Sequence, residues 1–198
     1  MFFPSFTDAH AHLPAEPEHD ADLRVPAGAR ILLNAAKLED FPRVAALAKK
    51  FPGRIVPAFG VHPWFAEEWN SDAKRILRER LAEAAPGEVA VGEIGLDRCR
   101  GNASDQETAF REQLALAAEL HVPATVHCVR AFGKTEAVLR EFSAAGTLPP
   151  ILLHAYCGSP EQARAFARLG EICFSAPKKP LPPECVVVPE SDAPLRSR

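Results

Sequence analysis

Asp8-Ala9-His10-Ala11-His12 closes the first apolar run of this 198-residue chain, and the rest of the organisation follows from how that segment is read. On an extended strand, residues two apart project to the same face, so His10 and His12 can direct both imidazoles into one pocket and grip one cation. A lone His-x-His among seven histidines carries little weight. The weight comes from its recurrence. Glu93 lies in Val89-Ala90-Val91-Gly92-Glu93-Ile94-Gly95-Leu96-Asp97, His127 closes Pro123-Ala124-Thr125-Val126-His127, His154 closes Pro149-Pro150-Ile151-Leu152-Leu153-His154, and Asp192 follows Val186-Val187-Val188-Pro189-Glu190-Ser191. Each is a polar residue at the carboxyl end of a predicted strand, the rim where parallel α/β barrels and doubly wound sheets collect ligands and catalytic groups. Singly, such a residue ordinarily meets water or caps the next helix. Six at successive strand ends argue for one shared site.

The chain alternates strand and helix. Strands are predicted over residues 5–10, 30–35, 55–60, 89–94, 123–127, 150–154, 171–175 and 185–190, and helices over 39–50, 71–85, 105–120, 131–145 and 160–169. Ser104 and Glu107 have capping-box spacing ahead of Phe110, Leu114, Ala117 and His121, which share a helical face. Ser159, Pro160 and Gln162 open another helix, and Gly170 is placed to end it. Eight strands with intervening helices specify a (β/α)8 TIM-like barrel, yet such barrels typically take about 250 residues. A shortened barrel with some outer helices missing is therefore expected, occupying residues 1–198 as a single domain. The 19 prolines indicate where loops replace helices. Leu13 to Ala29 is proline-rich and acidic without helical period, Ala176 to Pro183 is too short and rigid for a crossover helix, and six residues follow Asp192. The outer faces of the first, seventh and eighth strands should then be left open, and exposed apolar surface of that kind often marks an interface. A homodimer is the expected consequence, which a monomeric mass in solution scattering would contradict.

Composition narrows the class. The chain is 47% hydrophobic and 25% charged, near the globular average. Its N-terminus has no basic segment before an apolar stretch, and no apolar run approaches the ~20 residues of a membrane span. A cytoplasmic protein with no membrane partner is the expectation. Five cysteines without a Cys-x-x-Cys pair signal neither a disulfide framework nor a structural zinc knuckle. Buried reduced thiols are expected instead. Cys128 should face away from His127 on the same strand, which leaves a Cys/His nucleophile a minor alternative.

Taken in order, the segments Asp8-Ala9-His10-Ala11-His12, Gly60-Val61-His62-Pro63, Gly92-Glu93-Ile94-Gly95-Leu96-Asp97, Gln106-Glu107-Thr108-Ala109-Phe110, His127-Cys128-Val129-Arg130-Ala131, His154-Ala155-Tyr156-Cys157-Gly158-Ser159 and Glu190-Ser191-Asp192-Ala193-Pro194 resemble the TatD-type metal-dependent deoxyribonucleases of the amidohydrolase superfamily. The resemblance runs nearly end to end. It implies two divalent metal ions (zinc, magnesium or manganese), the first held by His10, His12, Glu93 and Asp192, the second by Glu93, His127 and His154, with Glu93 bridging. The residue types suit that task, because imidazole and carboxylate bind such cations and a carboxylate offsets part of the repulsion between two of them. Metals about 4 Å apart lower the pKa of a shared water and stabilise both attacking and leaving oxygens of a phosphodiester. Glu93 and Asp192 are the catalytic candidates, Asp192 orienting the water and accepting its proton. His62 is assigned a substrate-binding role, with simple packing beneath Trp64 as the equal alternative. Arg130 is the phosphate-binding candidate, since guanidinium meets phosphate oxygens bidentately. Arg98 and Arg100 extend that track or are merely solvated. Two departures stand out: Pro14 replaces an acid usual after the His-x-His-Leu segment, and the family usually continues past Asp-Ala-Pro with a final helix.

Charge limits the substrate. A chain at net −3 with pI near 6.2 has no general basic face for neutralising phosphates, so extended duplex binding is not expected whereas a DNA end held at the metals is. Three functions fit. A two-metal phosphodiesterase trimming DNA, in the manner of an exonuclease, uses the full ligand set and Arg130; an amidohydrolase-type enzyme could cleave a small amide, ester or lactone on the same metals; and a non-catalytic metal-binding interaction module would follow from the missing helices. Intact ligands argue against the last.

Overall fold

The computed structural model describes residues 1–20, 23–85 and 87–195. Eight strands, β1 (Asp8–His12), β2 (Ile31–Asn34), β3 (Ile55–Phe59), β4 (Ala90–Asp97), β5 (Ala124–Val129), β6 (Ile151–Leu153), β7 (Ile172–Ser175) and β8 (Val186–Val188), pair in sequence order, each parallel to the next. The seam between first and last is joined by backbone hydrogen bonds: Ala9 N to Pro189 O at 2.8 Å, Asp192 N to His10 O at 3.0 Å and His12 N to Ala193 O at 3.0 Å. A shortened (β/α)8 barrel results, as the strand count predicted.

Alternation along these strands builds two apolar layers. Ile31, Leu33, Ile55, Val91, Val126, Ile151 and Leu153 face outward into the larger core, which helices α1 (Phe41–Lys50), α2 (Ser71–Ala82), α3 (Ala103–Glu119), α4 (Phe132–Ala144) and α5 (Pro160–Ala167) cover with Phe41, Leu77, Phe110, Leu139 and Phe166. Leu32, Val56, Ala90, Leu152, Cys173 and Val188 face inward and are closed off from below by Phe3 and Phe6. These two aromatics flank a 3-10 turn at Phe3–Ser5, so β1 begins at Asp8 rather than at residue 5 as expected. The chain is spent plugging the barrel there, because Pro4 cannot donate to a strand ladder. Above the apolar layer lies a polar one, in which the Thr125 hydroxyl meets Asn34 Oδ1 at 2.7 Å across the interior. Gly92 sits beside this pair. A Cβ on Gly92 would lie 1.9 Å from Thr125 Oγ1, so only hydrogen fits.

Helix caps differ from the sequence reading in two places. Asn102, not Ser104, caps α3 by accepting from Ser104 N at 2.8 Å, and His121 lies beyond the helix in left-handed backbone. An Asn side chain at N-cap outcompetes a capping box begun two residues later, since the first free N–H groups are those it reaches. The Ser159/Gln162 capping box of α5 is present, although α5 stops at Ala167 and Gly170 lies beyond its C-cap, Arg168.

The missing helices fall where the prolines placed them. No helix connects β7 to β8, and a 3-10 turn (Pro17–Asp20) stands in the 13–29 loop, of which residues 21 and 22 are outside the described residues. The open faces are fewer than expected. On β8 Val187 is 50% exposed, whereas β7 is wholly buried because α5 packs on it, and Leu23 and Val25 join the outer core alongside Ala11 of β1. Loop residues with apolar side chains can cover a strand as a helix would. Two of the five thiols, Cys99 and Cys157, are likewise exposed rather than buried. Cys128 faces the outer core as alternation predicted, and burial pushes its thiol up to about 11, which removes it as a nucleophile at neutral pH. Among the described residues, no helix is long and apolar enough to cross a membrane.

Candidate metal centre

Strands β1, β4 and β5 and the loops after β3, β6 and β8 deliver six polar side chains, His12, His62, Glu93, His127, His154 and Asp192, to one cavity of about 340 Å³, and His10 lies buried beside Glu93. Glu93 is at its centre, only 2% exposed, and its two carboxylate oxygens face different ways. Oε2 lies 3.2 Å from His10 Nε2 and 3.8 Å from His12 Nε2. Oε1 lies 2.8 Å from His127 Nδ1, 2.7 Å from His154 Nε2 and 3.3 Å from His62 Nε2. Asp192 closes the first group, with Oδ1 3.2 Å from His12 Nε2 and 3.9 Å from His10 Nε2. One carboxylate thus divides the imidazoles into two sets.

The sequence explains each placement. His127 and His154 sit one step above Thr125 and Leu152 on the same inward faces, and Glu93 follows the glycine that the Thr125–Asn34 pair demands. Asp192 takes a left-handed backbone (φ 49°) after Ser191, whose N–H and hydroxyl both donate to Asp8 at 3.0 and 2.7 Å. Asp8 therefore anchors the loop that presents Asp192.

Electrostatics agree with a site built for cations. Burial would raise the Glu93 carboxyl, but His154 and His10 with the adjoining imidazoles hold it well below the usual carboxylate range. Burial and the neighbouring His154 push His10 down to about 3, so it stays neutral with both lone-pair options open. Against its own burial, Glu93, Glu190 and Asp192 hold His154 up at about 9. Asp192 is lowered, first by its hydrogen bond from His12. Both ring nitrogens of His10 and Nδ1 of His154 are buried without a hydrogen-bond partner. Orphaned nitrogens beside carboxylate oxygens, in a set of imidazoles and acids, fit a metal ion better than they fit a proton network. Among the described residues the donors form four overlapping groups within 4.8 Å: His10, His12 and Asp192; His10, Glu93 and His154; His62, Glu93 and His127; and His154, Glu190 and Asp192.

The two substrate-binding candidates, His62 and Arg130, line different cavities. His62 points into the ligand cluster while its Nδ1 accepts from Trp64 N at 3.1 Å. Arg130 lines a neighbouring cavity of about 440 Å³, together with Arg98 and Lys134, and Asp97 forms part of its wall. Arg130 too has left-handed backbone, φ 53°.

Asp97 and Glu190 were not singled out from the sequence. Asp97 is 5% exposed; Oδ2 accepts from Trp64 Nε1 at 2.6 Å and lies 3.3 Å from His127 Nε2, while Oδ1 accepts from Cys99 N at 2.7 Å. A carboxylate on the far nitrogen of a ligating histidine fixes its tautomer and ring orientation. The predicted strand ends at residue 94, so the place of Asp97 on the Glu93 face shows only with β4 running to that residue. Glu190 accepts from Ala155 N at 2.8 Å and from the Ser175 hydroxyl, next to His154 and Asp192. No spacing rule pointed to it.

A parallel barrel carrying a histidine and carboxylate cluster inside its carboxyl rim has the layout of the metal-dependent hydrolase barrels. More narrowly, the chain belongs to the TatD related DNase family, whose profile matches residues 7–182. It is similar to the 3'-5' ssDNA/RNA exonuclease TatD of Cronobacter sakazakii, 36% identical over 154 residues that cover 74% of this chain and 57% of the relative. The Pantoea vagans protein of the same name is 40% identical over 129 residues, 63% of this chain and 47% of its own length. Among solved structures, the TatD homologue YJJV from Escherichia coli K12 aligns with a TM-score of 0.72 at 29% identity, covering 87% of this chain and 68% of that one. The chain spans about half the length of the curated relatives it matches.

Proposed function

We propose that this chain is a metal-dependent phosphodiesterase that shortens single-stranded nucleic acid from an end. The observation that carries the reading is the division of the Glu93 oxygens between two sets of donors, His10 and His12 on one side and His127 and His154 on the other. The names of the relatives, 3'-5' ssDNA/RNA exonucleases, support the substrate class. His10, His12, Asp192 and Glu93 Oε2 would hold one divalent cation, and Glu93 Oε1, His127 and His154, with His62 adjoining, the other. Cations bound there would supply Lewis-acid polarisation of a phosphate and an acidified water.

The chain's own residues provide the remainder. Asp192 has its side chain 42% exposed on the open side of the cavity, held deprotonated by His12, and is placed to accept a proton from an attacking water at Oδ1. Asp97 keeps His127 oriented, with Nδ1 toward Glu93. Arg130 and Arg98, across the Asp97 wall, are positioned to take a phosphate of the strand beyond the reacting one. A cavity of this size with a few cations beside it suits a strand end and not a duplex.

The test is nucleotide release from a short single-stranded DNA with added magnesium, manganese or zinc, for wild type and His127→Ala. Metal-dependent release that the substitution abolishes is the expected result. No release from protein carrying two metals would overturn the nuclease reading and favour hydrolysis of a small amide, ester or lactone. Asp192→Asn should abolish turnover with most metal retained, and near-normal turnover would remove Asp192 from its role.

A further inference from the structure

Trp64 is 40% exposed, one of few large apolar side chains left open among the described residues, and it lines the cavity that holds Glu93, His127 and Asp192. Loose exposure is ordinary for a surface aromatic, but this one is fixed on three sides. Its indole N–H donates to Asp97 Oδ2 at 2.6 Å and its backbone N–H to His62 Nδ1 at 3.1 Å. The Arg100 guanidinium sits over the ring, 3.9 Å from the centroid, and no carboxylate partner holds it among the described residues. The loop carrying Arg100 is itself pinned, since Gln106 Nε2 donates to Arg100 O at 2.5 Å and Gln106 Oε1 accepts from Asp97 N at 2.8 Å. The indole centroid is 6.3 Å from that of His127.

A rigid, exposed indole next to a cationic side chain, one residue's width from a phosphate-handling centre, is the arrangement proteins use to stack an unpaired base. We propose that Trp64, with Arg100, forms a nucleobase subsite for the terminal nucleotide of a single strand. The subsite recognises any base through its π-face, and it selects against paired ends because a base in a duplex cannot leave its neighbour to reach the ring. Arg100 adds a cation beside the ring that the phosphate of the same nucleotide can meet. This inference rests on the phosphodiesterase reading for its biological sense, and its test does not.

Equilibrium binding of dAMP and of deoxyribose 5-phosphate to manganese-loaded protein isolates the base, measured by calorimetry in wild type, Trp64→Phe and Trp64→Leu. Wild type should bind dAMP roughly 5- to 150-fold more tightly than the sugar phosphate, the usual range for one stacked base. Trp64→Phe keeps a π-face but loses the N–H to Asp97, and should retain most of that ratio. Trp64→Leu keeps apolar bulk alone and should bring the ratio close to one. Equal affinities in wild type, or a ratio that survives in Trp64→Leu, overturn the proposal. Loss of the ratio alongside intact oligonucleotide hydrolysis would leave the nuclease reading standing, and an intact ratio in protein that releases no nucleotide would do the reverse.

Discussion

Gly92→Ala places a methyl where the barrel has no room, and its consequence can be worked from the contacts. The new Cβ would meet Thr125 Oγ1 at 1.9 Å, Asn34 Oδ1 at 2.9 Å and Thr125 Cβ at 3.1 Å, whereas ordinary contact begins at 3.4 Å. Thr125 is fully buried and its hydroxyl holds Asn34 Oδ1 at 2.7 Å, so it can retreat only by breaking that bond. Overpacking of this kind costs about 1–3 kcal/mol, and an unpaired buried acceptor about 1–3 kcal/mol more. Together they predict a loss of about 2–6 kcal/mol, which for a domain of this length lowers Tm by roughly 4–24 °C. Thermal unfolding followed by circular dichroism, in the presence of chelator, reads this directly. Thr125→Ala removes the worst contact, so Gly92→Ala/Thr125→Ala should be more stable than the sum of the single changes by over about 1 kcal/mol. The contacts at 2.9 and 3.1 Å remain, and the double variant stays below wild type. A Tm for Gly92→Ala within a degree of wild type, or strict additivity in the cycle, would refute the reasoning.

The remaining predictions concern charge and orientation. In metal-free protein His154 is held at about 9 and His10 at about 3, against an ordinary 6.5. The raised group stabilises the fold fully below pH 6.5 and loses that contribution as pH climbs through 9; the depressed group stabilises it above pH 6.5 and loses that contribution as pH falls toward 3. Stability of chelated protein should therefore peak near pH 6.5, falling on either side by up to about 1.4 kcal/mol per unit for each group, and a Tm that rises from pH 6.5 to 9 would contradict this. Because a ligating imidazole must be neutral, manganese affinity should climb over the same alkaline range. Asp97→Asn should weaken manganese binding about 10- to 100-fold in competition with a chromophoric chelator while shifting Tm little. Unchanged affinity would make Asp97 a mere partner of Trp64.

Much of this site could be read from spacing because a parallel barrel converts strand ends into one rim. His10, His12, Glu93, His127, His154 and Asp192 each closed an apolar run, and the structure brings all six together. The side chains that spacing missed act through conformation or through a second partner. Glu190 reaches the site by accepting from Ala155 N and the Ser175 hydroxyl, and Asp97 is recognisable as an acid on the Glu93 face only once β4 is seen to run to residue 97. Arg130, the phosphate candidate on the chemistry of its guanidinium, has left-handed backbone and lines the neighbouring cavity, a position that spacing does not specify. The end of β1 was clear while its start was not. Phe3 and Phe6 read as strand by composition, and only the need to close the barrel floor makes them a plug.

Metal content per chain tests the central claim most directly, determined by elemental analysis after equilibration with manganese and removal of free ion. Wild type should retain two equivalents, and Glu93→Gln, which takes the shared carboxylate from both sets of imidazoles, should lose both. One equivalent in wild type, or two in Glu93→Gln, would contradict a centre bridged by Glu93.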